Sequence, residues 1–487
     1  MCRTTNNFFI SLLSLVVLVS SCKVGQKYVQ PELNLSADFR GDWTSEETDS
    51  LLINSLPWRE FFNDTVLIAL IDSGLRNNYD MRTALKNIEI ANLNLRANKA
   101  EYLPQIDANI ATINQQFRSD DFYGSPSSKW YTEKGKEAPS NLFKYQSQHA
   151  TGLEFSWELD IWGRIAHQRD ILNADWLQTQ EAKTAVQTKI IADIAMGYFN
   201  LLMLDAQLEV AQRNVQLNDS TLEIMRLQFE AGEITALALQ QTESQRLLAA
   251  SMVPSLEADI VIQENALRAL IGKMPAEIYR NSSLNDNLIN INRMVSMGTP
   301  LDIVRHRPDI RQAELELIAA NASMNIRQLM RYPQISLDAV FGVNAMLPEN
   351  WFSIPGALLG SVVGQISAPI FRNKKLKTQY EVAKLEREKA ELALQETVMK
   401  AVTEVSNVLM TVEKQQEQVE LANARVLNSK LAVKNASLLF KSGYASYLEV
   451  ITAQSNALRS ELDLVDIRQQ QLNSYVDLYR ALGGGWQ

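Results

Sequence analysis

The chain has 487 residues, 46% of them hydrophobic, and its 47 lysines and arginines are outnumbered by 56 aspartates and glutamates, which gives a net charge of −9. An acidic chain without a basic stripe is not suited to nucleic acid, so that class of partner is excluded. Length alone would suggest about three domains. The sequence repeats internally, however, and the repeat decides the organisation.

The amino terminus is typical of a secretion signal. A basic residue precedes a short apolar segment, residues 8–19, which cannot span a bilayer. Two serines then precede Cys22, and small residues before a cysteine are typical of bacterial lipoprotein signals, in which the cysteine is acylated. We therefore predict a signal peptide over 1–21, lipidation of Cys22 and a lipidated segment over 22–64. The alternative is an ordinary signal peptide with a chance cysteine.

Two copies of one unit make up the rest of the chain. Residues 229–237 return as 440–448 at an offset of 211 positions, and residues 80–106 match 309–335 at an offset of 229. The offset falls by 18 residues between the two blocks, so the first copy carries an insertion of about that length. The polar, glycine- and proline-containing stretch 119–147 is its expected place.

Long stretches of each copy lack the residues that end a helix. From Arg164 to Ala231 there is no proline and only one glycine, and from Phe371 to Ser442 there is neither. As helices, these stretches would each be roughly 100 Å long at 1.5 Å per residue. Gly232 and Gly443 follow them as left-handed helix stops, and a second periodic segment follows each glycine. The predicted helical hairpins span 164–271 and 373–482.

Polar and apolar residues alternate before each long helix, which predicts strands. The predicted strands lie at about 105–118, 146–158, 334–345 and 358–370, with an extracellular loop over 119–145. Four strands cannot close a barrel, so several subunits must complete it. Their lengths also suit an oblique crossing of an outer membrane. A soluble dimer with two β-hairpins on a helical scaffold is the alternative.

The repeat defines the predicted domains. Each copy runs helix, strand, loop, strand, very long helix, glycine turn, long helix. The first copy is expected over 65–272 and the second over 302–482. An equatorial linker, 273–301, joins them, and a tail, 483–487, ends the chain.

Four strings carry a resemblance to a known family: Trp157-Glu158-Leu159-Asp160-Ile161-Trp162-Gly163-Arg164, Arg307-Pro308-Asp309-Ile310-Arg311, Phe440-x-x-Gly443 and Gly483-Gly484-Gly485-Trp486. With them, the chain resembles the TolC-like outer-membrane efflux lipoproteins of RND pumps over nearly its whole mature length. The resemblance implies a mainly α fold with a membrane β-barrel portion. In a homotrimer, four strands per subunit would form a 12-stranded barrel, and the helical hairpins a periplasmic α-barrel.

The resemblance also implies a function. We expect a passive exit channel of a tripartite efflux pump in the outer membrane, working with a periplasmic adaptor protein, an inner-membrane RND transporter and outer-membrane lipid. The channel of a type I protein secretion system is one alternative. A helical scaffold without a pore is another. The cysteine of the lipoprotein signal and the Trp-Glu-Leu-Asp string favour the efflux channel.

Similar channels meet their adaptor, and close their pore, at the periplasmic tips of the hairpins. The residues implied for the tip are Phe229, Gly232, Phe440 and Gly443. A constriction ring is implied at Glu449 and Thr452, where the first copy has Ala238. Because only Glu449 is acidic, the ring would be weak, and a solvated Glu449 without a pore role is the alternative.

The first string marks the junction between a strand and a long helix. Its candidate residues are Trp157, Asp160, Trp162, Gly163 and Arg164. Aromatic residues here suit a lipid–water interface, with Arg164 directed outward. The alternative is that the tryptophans pack the bend. At the second string, Pro308 and Asp309 are expected to start a helix.

Nothing in the sequence predicts an enzyme. His149, His167 and His306 are scattered, and neither GxSxG nor a phosphate-binding loop occurs. The cysteines have no CxxC or zinc-site spacing. We therefore expect no catalytic residues, no cofactor and no metal site.

Overall fold

The structure is a computed structural model that describes residues 24–32, 57–119, 143–284, 286, 288–289 and 307–484. The predicted signal peptide and Cys22 lie outside these residues. So do His306, residues 485–487, and parts of the predicted loop and linker. Within the described residues, the chain divides into two compact units. One contains the strands and the helix ends next to them, and the other contains most of the long helices.

The helices fall into two sets. The first set comprises α1 (Trp58–Phe61), α2 (Thr65–Asn77), α3 (Tyr79–Ala100), α4 (Arg164–Glu230) and α5 (Ala236–Leu270). The second comprises α6 (Pro308–Leu329), α7 (Lys375–Lys441) and α8 (Tyr447–Ala481). Among the described helices, none combines the length and apolar character that crossing a membrane requires.

The bounds of these helices confirm the internal repeat. Helices α4 and α7 contain 67 residues each, and α5 and α8 contain 35 each. Both pairs are related by the predicted offset of 211, and α3 and α6 by the predicted offset of 229. At 1.5 Å per residue, α4 and α7 are each about 100 Å long.

The strands form one antiparallel sheet in the order β1-β2-β3-β4. The strands are β1 (Gln105–Ser119), β2 (Phe143–Glu158), β3 (Gln334–Ala345) and β4 (Leu358–Ser367). The register of β1 on β2 shifts between Asn109 and Thr112, where the strand carries a β-bulge or similar irregularity. Sequential strands are neighbours throughout, so the sheet is a simple meander whose outer members are β1 and β4.

Three predicted bounds differ from the structure by two residues or more. Pairing of β1 with β2 continues to Ser119 opposite Phe143, so β2 begins earlier than residue 146. Strand β4 ends at Ser367 rather than at 370, because Pro369 has no N–H for a ladder. Helix α7 begins at Lys375 and not at 373, since Asn373 and Lys374 have φ of 48° and 61°, which a right-handed helix does not allow.

The sheet has one apolar and one polar face. Ile106, Leu153 and Phe341 point to the same side, as strand alternation and the cross-strand register require. Side chains on this face are largely exposed; examples are Ile106, Leu153, Phe341, Val362 and Ile366. The opposite face carries Asp107, paired in register with Glu154, and also Asp338. The subunit therefore leaves a wide apolar sheet surface uncovered.

The core of the helical unit joins the two copies. Ile194 and its repeat partner Val405 are both fully buried in one hydrophobic cluster. The rings of Phe61 and Tyr479 stack in this unit, with centroids 4.3 Å apart. Tyr198 donates a hydrogen bond of 2.9 Å to Asp64. Burial and the charge of Asp64 raise the pKa of Tyr198 far above its ordinary value, so the phenol stays protonated.

Candidate functional site

Each long hairpin turns at one of the two predicted glycines. Gly232 and Gly443 have φ of 79° and 77°, the left-handed conformation that favours glycine. In the first hairpin, the N–H of Gly232 donates to Phe229 O at 2.9 Å, and the N–H of Glu233 donates to Gln228 O at 2.9 Å. These two bonds are the Schellman pattern that satisfies the last carbonyls of a helix.

The second hairpin repeats this turn with the same bonds. The N–H of Gly443 donates to Phe440 O at 3.0 Å, and the N–H of Tyr444 donates to Leu439 O at 2.9 Å. A Cβ added at either glycine would meet no atom within 4 Å, so the tips are open on the subunit surface. Apolar side chains exposed around them are Leu227, Phe229, Leu237, Leu438, Tyr444 and Leu448. An apolar surface of this kind suits contact with another protein.

The helices that leave the two turns are capped differently. In the first copy, Thr235 Oγ1 accepts the N–H of Ala238 at 3.3 Å. In the second, the carboxylate of Glu449 accepts the backbone N–H of Ser446 at 2.5 Å and its hydroxyl at 3.1 Å. The Ser-x-x-Glu spacing is a capping box. Glu449 therefore holds the start of α8 in its own subunit.

This cap bears on the predicted constriction. Glu449 and Thr452 are both exposed on the first turns of α8, one turn after the tip. The carboxylate of Glu449 is engaged by Ser446, which gives it a structural role in the single chain. A pore role for Glu449 and Thr452 stays a prediction.

The two hairpins are joined by polar contacts near their tips. The hydroxyl of Tyr447 on α8 donates to Oε1 of Gln241 on α5 at 2.5 Å. Further along, Nε2 of Gln454 donates to Oγ1 of Thr221 on α4 at 2.9 Å. These bonds hold α8 against the first hairpin, so a movement of one hairpin away from the other must break them.

At the strand–helix junction, Asp160 caps α4. Its two oxygens accept the N–H groups of Ile165 and Ala166, both at 3.1 Å. Gly163, with φ of 84°, makes the reversal immediately before the helix. A carboxylate at a helix start satisfies free N–H groups and complements the helix dipole.

The other residues of that string also have partners within the junction. Trp157 donates to Tyr102 O at 3.0 Å, and Trp162 donates to Pro333 O at 2.6 Å. Arg164 binds Glu158 through two hydrogen bonds, at 3.0 and 2.7 Å. These contacts are those that the packing alternative requires. The predicted contact of this string with the lipid–water interface is a separate matter, because these hydrogen bonds are compatible with it but do not require it.

The second string forms a partly buried ionic cluster. Arg307 donates to the carbonyl of Ala481 at the end of α8 (2.7 Å), to Glu404 on α7 (2.7 Å) and to Asp309 (2.8 and 3.1 Å). Its burial opposes the charge, but the hydrogen bonds and charges of Asp309 and Glu404 outweigh that effect and raise the pKa of Arg307. Pro308 begins α6, as expected. The cluster joins α6, α7 and α8.

Sequence reasoning missed several of these contacts. The capping box of Ser446 and Glu449 was visible in the spacing. The partners of Tyr447 and Arg307 lie 206 and 97 residues away, and no local pattern indicates them. Within the described residues, no group of three histidines, cysteines, aspartates or glutamates is arranged to hold a metal ion.

Comparison with known proteins places this architecture in a familiar group. The model of the family described as outer membrane efflux protein matches residues 70–273 and 301–484. The solvent efflux pump outer membrane protein SrpC of Pseudomonas putida is 30% identical over 97% of both chains. The cation efflux system protein CusC of Escherichia coli O6:H1 is 25% identical over 96% of this chain and 97% of its own.

Solved structures show the same fold. A membrane protein from Pseudomonas aeruginosa aligns with a TM-score of 0.82 at 24% identity, over 95% of this chain and 100% of its own. The open state of the Neisseria gonorrhoeae MtrE outer membrane channel aligns with a TM-score of 0.79 at 24% identity, over 96% of this chain and 99% of its own. The predicted fold class, a tandem repeat of four strands and long helical hairpins, is confirmed.

Proposed function

The chain belongs to the outer membrane efflux protein family, and on this basis we propose that three copies of it form one passive exit channel of a tripartite efflux pump. The family match across both repeats is the observation that carries the proposal. Membership also gives the location, the outer membrane. We propose that the channel itself is passive and that the pump supplies the energy for transport.

The sheet supports assembly into a trimer. Its apolar face is exposed, and its outer strands are β1 and β4. Four strands are too few to enclose an interior, whereas twelve can. Three sheets joined edge to edge would turn the apolar face to lipid and the face with Asp107, Glu154 and Asp338 to the lumen.

The long helices support the same assembly. On α7, Met399, Met410 and Leu421 are exposed apolar residues that recur every 11 residues, a spacing that stays on one face of a helix. An exposed apolar stripe along a long helix is expected to pack against another helix. We place this stripe against a neighbouring subunit, in the wall of an α-barrel.

The tips are the proposed contact with the pump. Phe229, Gly232, Phe440 and Gly443 form two matching turns with apolar surroundings. We propose that a periplasmic adaptor binds here and links the channel to an inner-membrane RND transporter. The cargo we propose is small organic molecules, because SrpC, whose name assigns it to a solvent efflux pump, matches this chain at higher identity than CusC does.

The lipoprotein signal adds an anchor. We propose that signal cleavage makes Cys22 the first residue and that its acyl chains enter the outer membrane. Mass spectrometry of the mature amino terminus tests this directly, because an acylated Cys22 has a defined mass and an unmodified cysteine contradicts the proposal.

Deletion of the gene in its own host tests the efflux function. The account predicts increased susceptibility to organic solvents or drugs, restored by the wild-type gene. Restoration must fail with a variant whose tip residues Gly232 and Gly443 are both replaced by proline but which still reaches the outer membrane. A deletion strain with unchanged susceptibility to every class of pump substrate would contradict the proposed role.

A further inference from the structure

Three buried polar side chains near the sheet have their partners in the amino-terminal segment. They are His167 on the first turn of α4, and Asn321 and Asn325 on α6; all three are at most 5% exposed. Buried polar groups are destabilising unless they form hydrogen bonds. The segment Val24–Gln26 supplies those bonds, so this segment is packed against the rest of the subunit.

The hydrogen bonds are directed at the backbone of this segment. Asn325 uses its whole amide: Oδ1 accepts the N–H of Gln26 at 3.0 Å, and Nδ2 donates to Gln26 O at 3.0 Å. Asn321 Nδ2 donates to the same carbonyl at 3.1 Å. His167 Nε2 lies 3.1 Å from Val24 O and must donate to it, since a carbonyl oxygen only accepts. We call His167, Asn321 and Asn325 the cradle.

Gly25 fits the cradle because it has no side chain. Its φ is +144°, which L-residues rarely adopt. A Cβ at this position would lie 2.8 Å from Cγ of Asn325 and 2.9 Å from Nε2 of His167. The cradle is therefore specific for a glycine three positions after Cys22.

The internal repeat shows that the cradle is not a general feature of the fold unit. By the offsets of 229 and 211, the positions equivalent to Asn321, Asn325 and His167 are Asn92, Arg96 and Thr378. Arg96 and Thr378 are exposed. The complete cradle therefore occurs at only one of the two equivalent positions in the repeats. This agrees with its binding to the amino-terminal segment, which the chain has only once.

The position of the cradle along the chain relates it to the membrane sheet. His167 follows the last residue of β2 by nine positions, and Asn325 precedes the first residue of β3 by the same number. Cys22 is three residues from Gly25, so the two Cα atoms are at most about 11 Å apart, at 3.3–3.6 Å per residue. Chain connectivity alone therefore limits how far from the cradle an acyl group on Cys22 can be attached.

We propose that the cradle positions the lipid anchor: it holds the chain directly after Cys22, so that the acyl chains enter the membrane beside the sheet before subunits assemble. This inference rests on the proposed lipidation of Cys22. A tether of fixed, short length raises the effective concentration of the sheet at the membrane surface. The cradle therefore promotes trimer formation through the lipid, and not merely by stabilising the fold.

A double-mutant cycle tests this dependence. Gly25→Ala, and independently Asn325→Asp, which keeps the side-chain shape but replaces the donor Nδ2, are each made in two backgrounds. One background is the lipidated protein, and the other carries Cys22→Ser behind a signal peptide without a lipoprotein site. Gly356→Ala is the matched control, because its Cβ would meet only Ser353 O, at 3.5 Å. The readout is the fraction of trimer in outer-membrane extracts, measured by chemical cross-linking.

Each cradle variant is predicted to lower the trimer fraction of the lipidated protein by about fivefold, through the clash of the added Cβ in Gly25→Ala or the lost Nδ2 donor in Asn325→Asp. The unlipidated protein and the Gly356→Ala control are predicted to be unaffected. An equal loss in both backgrounds would show that the segment only stabilises the subunit, and no loss in either would show that the cradle has no role in assembly. Either result overturns the inference. Mass spectrometry of the wild type separates these from a failure of the lipidation itself, which an unmodified Cys22 would reveal.

Discussion

Tyr447 on α8 donates a hydrogen bond to Gln241 on α5, and this bond joins the second hairpin to the first close to both tips. It is reinforced by the bond from Gln454 to Thr221. We propose that the channel opens at its tips when it passes its cargo. If the tips open by moving one hairpin away from the other, these two bonds oppose that movement.

Removal of the Tyr447 hydroxyl should favour opening. Tyr447→Phe keeps the ring but loses a bond of about 1 kcal/mol, so the state in which this bond joins the two hairpins becomes less populated. We expect more frequent or larger conductance steps in planar bilayers. Tyr444→Phe is the control, because Tyr444 is 84% exposed at the tip. Equal conductance of the Tyr447→Phe and control proteins would refute a latch at this position.

Two substitutions of Glu449 separate its cap from its charge. Glu449→Gln keeps an oxygen that can accept from Ser446 and removes the charge, whereas Glu449→Ala removes both. If Glu449 lines a constriction, both variants should reduce block of the channel by divalent cations, because both remove the charge. If it only caps α8, the glutamine variant should behave as wild type, and the alanine variant should lose about 1 kcal/mol of local helix stability.

The tip glycines should tolerate asparagine better than alanine. Since nothing surrounds the Cβ position of Gly443, the cost of Gly443→Ala comes from the left-handed backbone and should be about 1 kcal/mol. Asparagine adopts this conformation more readily. Hydrogen exchange of the turn amides should therefore rise in the order wild type, Gly443→Asn, Gly443→Ala. Identical exchange in all three would contradict a strained turn.

The polar face of the sheet should make the channel prefer cations. Asp107, Glu154 and Asp338 lie on this face, and the strand residues whose side chains the structure describes include no lysine or arginine there. Replacing the three carboxylates with Asn, Gln and Asn should move the reversal potential in a potassium chloride gradient towards zero. The control is Glu89→Gln on the exposed surface of α3, which should leave the potential unchanged.

Arg307 should be important for stability. Arg307→Ala removes the donor to the carbonyl of Ala481 and leaves Glu404 with only the longer contact to Arg480, at 3.5 Å. We expect a loss of about 1–2 kcal/mol, because Arg307 is only 12% exposed while its partners Asp309 and Glu404 are 44% and 35% exposed and partly solvated. The loss is visible as a lower thermal midpoint. Arg311→Ala, whose side chain is 55% exposed, should shift the midpoint little. Equal shifts would contradict the stabilising role of the cluster.

The sequence was sufficient for the repeat and the elements it contains. Gly232 and Gly443 marked the helix stops because few residues other than glycine adopt a left-handed turn at low cost. Alternation after Pro104 and Pro333 located the start of β1 and β3. These features are local, and each predicted element of one repeat was supported by the matching element of the other.

The partners of individual side chains could not be predicted in the same way. No local pattern around Asn325 indicates its hydrogen-bond partner, because Gln26 is 299 positions away in the sequence. Glu158 and Arg164 are close in sequence, but their pairing depends on the bend made at Gly163. Contacts of this kind follow from the packed fold and have no period or spacing that marks them in advance.

Planar-bilayer recording of the purified protein, together with its mass in detergent, tests the central claim most directly. The account predicts an oligomer of three subunits that produces discrete conductance steps. A monomer in detergent that yields no discrete conductance would contradict the trimeric exit channel.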